Sequence, residues 1–158
     1  MQKNIDLKKI LDQFEEILEF YLLRKTPFSI PKKGKEIIVK IAPYFSILGV
    51  VVSLPIILIS LGLASLVAPL KLFFRLQYAK NPFDFNFIFS TLILAIIIFL
   101  EAIAIPGLFK RKQKAWRFLF YASLLSIPYG VFNGDFIWTI IFTLLSWYVL
   151  FQVKEYYK

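Results

Sequence analysis

The sequence predicts an all-α membrane protein with four transmembrane helices, both termini on the cytoplasmic side, and an amphipathic helix at the N-terminus. Three observations carry this. The 158 residues are 59% hydrophobic, with a mean hydropathy of +0.70. Soluble domains are only about 45–50% apolar. Apolar segments of membrane-crossing length recur four times, and Lys and Arg gather at the segment ends that share one side.

Residues 1–25 are too charged to cross a bilayer. Leu7, Ile10, Leu11, Phe14, Ile17, Leu18 and Tyr21 recur at helical spacing, opposite Lys8, Lys9, Asp12, Glu15, Glu16 and Glu19, which describes an amphipathic cytoplasmic helix. Lys3 to Arg24 holds four basic and five acidic residues. A helix that binds anionic lipid is Lys/Arg-rich on its polar face. The charge balance therefore favours packing on the protein's own cytoplasmic side, or on a second subunit, over lying on the membrane. Residues 26–43 read as a basic linker, because Pro27 and Pro31 interrupt any helix. No cleavable signal is expected, since the first long apolar run starts only near Ile37.

Residues 44–153 form the expected transmembrane domain. Its first span covers 44–68, some 25 residues or roughly 37 Å at 1.5 Å per residue, with Pro43 in its first turn and a kink at Pro55. The second covers 87–105 and is expected to end at Pro106-Gly107. The third covers 116–132 and the fourth 136–153. Between these last two, Gly134 supplies a positive φ and Asp135 can cap the next helix, so they should form a tight hairpin. A cytoplasmic tail, 154–158, follows.

Charge sets the orientation. Sixteen of the nineteen basic residues lie on the side of the termini and the 110–117 block, and only Lys71, Arg75 and Lys80 lie on the other. Cytoplasmic loops carry this excess. Lys110, Arg111, Lys112, Lys114 and Arg117, with Trp116 as an interfacial anchor, are read as lipid-headgroup and topology residues, attracted to anionic lipid by about 1 kcal/mol each. Phe73, Phe74, Tyr78, Phe83 and Phe85 in the outward loop read as an interfacial aromatic belt.

Close packing between spans needs small residues. Ala122, Ser126 and Gly130 form one such stripe and Thr139, Thr143 and Ser146 another. Folding about Gly134 brings Gly130 to Thr139, Ser126 to Thr143 and Ala122 to Ser146. Ser60, Ala64 and Ala68 make a comparable face on the first span. The second span, mostly Leu, Ile and Phe, is expected to have the most lipid contact.

Little points to catalysis. There is no Cys and no His, which removes thiolate chemistry, the usual zinc ligands and the commonest general base. No phosphate-binding, metalloprotease or nucleophile-elbow motif occurs. No enzyme activity, metal or cofactor is expected, and no reader fold suggests nucleic acid. Glu101 is the one ionisable residue inside a span. Such a residue is a candidate ion or proton site. Its place near the helix end also suits snorkelling or pairing with Lys40, Lys110, Arg111 or Arg117.

The stretches VKIAPYFSILGVVVS, AIPGLFKRKQKAWRFLFYASLL and LFQVKEYYK resemble a group of small bacterial four-span inner-membrane proteins of unassigned activity. The resemblance covers Ile38 to Lys158 and implies a multi-pass bacterial inner-membrane location, without site residues. The expected role is structural or accessory, through lipids and association with itself or another membrane protein. The alternative is a small transporter or channel subunit in which Glu101 handles a proton or cation.

Overall fold

A computed structural model describes residues 7–26, 29–60 and 85–158. All secondary structure among the described residues is helical, without strands. Helix α1 is Leu7–Glu19, continued by a π-helical turn at Phe20–Arg24; α2 is Lys32–Ser60, α3 Phe85–Phe109, α4 Gln113–Asn133 and α5 Phe136–Val153, with a final 3₁₀ turn at Lys154–Tyr156. The end of the first expected span, its Ala64 and Ala68, and most of the aromatic loop with Lys71, Arg75 and Lys80 lie outside the described residues.

Three helices are long and apolar enough to cross a membrane: α2, α3 and α5. Helix α4 is less apolar because Lys114, Arg117 and Asn133 fall within it. It is also enclosed, packing extensively against α3 and along α5. Helix α3 lies between α2 and α4 and buries Ile93, Leu94, Ile98, Ala104 and Leu108. The second span is therefore not the most exposed. That place belongs to α2, whose apolar window is 11% buried against 28% for α3.

Proline is read differently by the structure than by its sequence context. Helix α2 begins at Lys32, directly after Pro31, whose carbonyl accepts the Lys35 N–H at 3.0 Å. The expected linker thus ends at Pro31, and Pro43 and Pro55 both lie inside the helix. Pro106 likewise sits inside α3, which continues to Phe109. Helix α3 stops instead in a Schellman motif. The Lys112 N–H bonds to the Gly107 carbonyl at 2.9 Å and the Arg111 N–H to Leu108 at 3.1 Å, with Arg111 left-handed at φ 51°. Helix α4 ends in the same motif around Gly134, at φ 81°, with Asp135 bonded to Gly130 and Gly134 to Val131.

These two terminations share a second feature. In each, the residue three before the helix's last turn ends is glycine, and it faces the helix that follows. A Cβ on Gly107 would stand 2.7 Å from the Ala115 Cβ, and one on Gly130 would overlap the Thr139 side chain. Glycine at these positions lets α4 approach both neighbours at backbone distance.

The buried core is concentrated at one end, beside the 110–112 loop. Val39 of α2, Ala104 and Leu108 of α3, Ala115, Trp116 and Phe120 of α4, Trp147 and Phe151 of α5, and Tyr157 form it. Away from this basic end, large apolar side chains such as Phe99, Ile137 and Phe142 point outward, on helices long and apolar enough to cross a membrane.

Candidate functional site

The α4–α5 hairpin builds one side of a cavity of about 510 Å³, and Ile97 and Glu101 of α3 reach it from the other. Hydroxyls line much of it: Ser123, Ser126, Tyr129, Thr139, Thr143 and Ser146. Within the hairpin, Ser126 and Thr143 hydroxyls lie 2.9 Å apart, and Thr143 is buried. Ser126 and Ser123 also hydrogen-bond back to carbonyls three residues earlier, which satisfies these groups inside an apolar helix. Trp147 Nε1 donates to Ser123 Oγ at 2.8 Å. Ser123 was not among the candidate packing residues. Its signal in the sequence was the spacing to Trp147 across the turn.

Gly130 and Thr139 are in contact, Ser126 and Thr143 are bonded, and Ala122 and Ser146 both line the cavity wall. Asp135 occupies the N-cap position of α5 but makes no side-chain cap bond. It also lines the same cavity.

Glu101 forms no ion pair among the described residues. The expected partner Arg117 turns the other way, to α1. Across from Glu101 is Gly49 of α2, where a Cβ would stand 3.4 Å from the carboxylate Oε2. Glu101 thus sits between α2 and the hydroxyl-lined cavity.

The basic residues divide into two groups. Lys110, Arg111, Lys112 and Lys114 are exposed around the α3–α4 connection. Trp116 and Arg117 instead meet other parts of the protein. Trp116 is fully buried: it stacks on Phe120 with ring centroids 5.7 Å apart, meets Phe151 edge-on, and donates Nε1–H to the Leu150 carbonyl at 2.8 Å. The Lys154 ammonium stands 5.2 Å over its ring. Arg117 lies 3.6 Å from Asp12 and 3.7 Å from Glu15, and its buried Nε makes no hydrogen bond.

Helix α1 closes this end. Phe14 packs between Phe120 and Trp147, at 6.5 and 5.8 Å, while Leu18, Leu22 and Leu23 extend the contact. Glu15 and Glu19 take the Lys154 ammonium. The last residues then tie the remaining pieces together. Glu155 pairs with Lys35 of α2 at 3.0 Å, and the Lys158 backbone bonds to Arg111 and Gln113 at 2.8 and 3.0 Å. Residues 154–158 are therefore a docked clasp rather than a free tail. Tyr157 is buried within it, and burial pushes its phenol above the ordinary value despite the opposing charge of Arg111.

No group of three or more acidic residues among the described residues could hold a metal ion. No family model matches the chain, and no curated protein or solved structure is significantly similar to it.

Proposed function

We propose that the protein is a small integral membrane protein with a structural or accessory role, working through association with a second copy or another membrane protein. The observation that carries this reading is the laterally placed cavity between α3, α4 and α5, whose hydroxyls and Glu101 are polar groups at bilayer depth. Polar and small side chains are what one membrane helix offers another, since lipid tails give no hydrophobic drive to associate.

The membrane topology belongs to the same proposal. If α3 and α5 cross, α4 returns between them, because its connections to both are tight turns. Its 21 residues reach about 31 Å at 1.5 Å each. Of its polar residues, Lys114 and Asn133 lie at its two ends, and Arg117 pairs with Asp12 and Glu15 of α1. This and the Lys/Arg distribution support four spans with the basic end on the cytoplasmic side. Reporters fused after Lys158 and inserted between positions 75 and 82 should then report opposite sides.

A second reading has a specific observation in its favour: Glu101, unpaired among the described residues, lines the cavity with six hydroxyl side chains. A transporter or channel subunit would use such a carboxylate for a proton or cation. The Glu101→Gln variant separates the two. Under the accessory reading, assembly and topology persist and reconstituted vesicles show no ion or solute flux above empty controls for either protein. A flux in the unmodified protein that Glu101→Gln abolishes would establish the transport reading instead.

A further inference from the structure

Helix α1 has a face that neither its ion pairs nor its core contacts use. At about 100° per residue, Phe14, Leu18 and Leu11 define the side turned to the bundle. Asp12, Glu15 and Glu19 follow on one flank, and these are the residues that meet Arg117 and Lys154. The opposite flank carries Ile10 and Ile17, within about 20° of each other, with Tyr21 continuing the line. All three are roughly half exposed, at 49%, 53% and 53%.

The docking geometry says which way this flank points. Phe14 stands against Phe120 and Trp147, which lie some six or seven residues inside their helices, or roughly 10 Å from the helix ends at 1.5 Å per residue. Helix α1 is therefore set against the side of the bundle, not beneath it. Its carboxylates face the ends of α4 and α5, where Arg117 and Lys154 sit. The opposite flank must then face towards the middle of the bundle, level with the apolar outer surfaces of the spans.

From this we infer that α1 is an interfacial element as well as a docked one, its Ile10–Ile17–Tyr21 flank lying in the lipid of the leaflet at the basic end. The occupant is the bilayer that the spans cross, because this flank is continuous with their lipid-facing surface. An aromatic ring at that depth is favoured, and Lys25, 4.8 Å over the Tyr21 ring, supplies a cation at headgroup level. The near-neutral charge of α1 does not oppose this. Asp12, Glu15 and Glu19 are taken up by Arg117 and Lys154, and Glu16 lies about 100° or more round the helix from Ile10 and Ile17, so the flank offered to lipid is apolar. The inference rests on the membrane-spanning reading above.

Because the chain has no Cys, single-cysteine variants report position cleanly. The full-length variants Ile17→Cys, Glu16→Cys and Phe142→Cys carry an environment-sensitive fluorophore in phosphatidylcholine vesicles, with phosphatidylcholine spin-labelled near the headgroup or aqueous iodide as quencher. The expected result is lipid quenching at residue 17 at least about twofold stronger than at residue 16, with the reverse order for iodide. Residue 142, on an exposed span face, reports the spanning itself. Quenching of residue 17 by iodide as strong as that of residue 16 overturns the inference. So does shielding of residue 17 from both quenchers, which would mean a protein partner or second copy covers the flank. If residue 142 also escapes the lipid quencher, the membrane-spanning reading fails first.

Discussion

The Lys154 ammonium lies 2.8 Å from the Oε1 of Glu15, a carboxylate only 5% exposed. Arg117 approaches the same carboxylate, so one side chain of α1 bridges two cations, with Asp12 and Glu19 supplying the further charge. Removing one partner of a fully buried pair costs about 3–5 kcal/mol. Lys154 and Arg117 keep some contact with water and Glu19 remains, so Glu15→Ala should cost about 1–3 kcal/mol. Limited proteolysis between α1 and α2 should detect the loosened helix, whereas Glu16→Ala, at an exposed position, should leave the digestion rate unchanged.

Gly130 against Thr139 makes a second expectation. Leu at Gly130 has no room without parting α4 from α5, and overpacking of this kind costs about 1–3 kcal/mol or more. Gly130→Leu should lower the detergent unfolding temperature clearly. Ile96→Leu on the exposed face of α3 should not. Equal effects from the two would mean that the hairpin contact contributes nothing to stability.

Arg111 holds a left-handed conformation where glycine is the usual residue. The penalty for an L-residue there is about 1–2 kcal/mol. Its backbone carbonyl, which accepts the Lys158 N–H, survives any substitution. Arg111→Gly should therefore raise the unfolding temperature, and Arg111→Ala should not. A fall with Arg111→Gly would show that the guanidinium charge outweighs the backbone strain.

Tyr157 makes the clasp sensitive to base. Burial raises its folded pKa above the ordinary 10.0, so the folded form favours the protonated phenol. The stabilisation is fully present below the unfolded value and is lost as pH rises through the raised folded value. Release of the C-terminal residues to carboxypeptidase should accelerate in that window. In Tyr157→Phe the added rise should disappear.

How much of this could be read from the chain depended on the range of the contacts involved. The α4–α5 hairpin was legible because two stripes and one glycine turn lie within a few turns of each other. The helices themselves were legible from hydropathy, but their ends were not. Pro43 looks like a helix start and Pro106 like a stop in isolation, yet apolar surroundings and neighbouring helices keep a helix running through such prolines. Trp116 and Arg117 have the local context of interfacial anchors. What turns them inward is Glu15 from one end of the chain and Lys154 from the other, and no local pattern announces contacts of that span. The cavity was legible only in part: Glu101 and the stripes were visible as separate features, but their convergence needed the α3–α4 approach that Gly107 permits.

The clasp has a consequence for how the protein is made. Glu19 and the lysine that holds it are 135 positions apart. At ribosomal rates of about 5–20 residues per second, α1 emerges roughly 7–27 s before its partner exists. For that interval its acidic flank has no counter-charge and Phe14 has no aromatic box to enter. Helix α1 is made before the helices it packs against and locked after them, so its native position is a test that those helices are already in place.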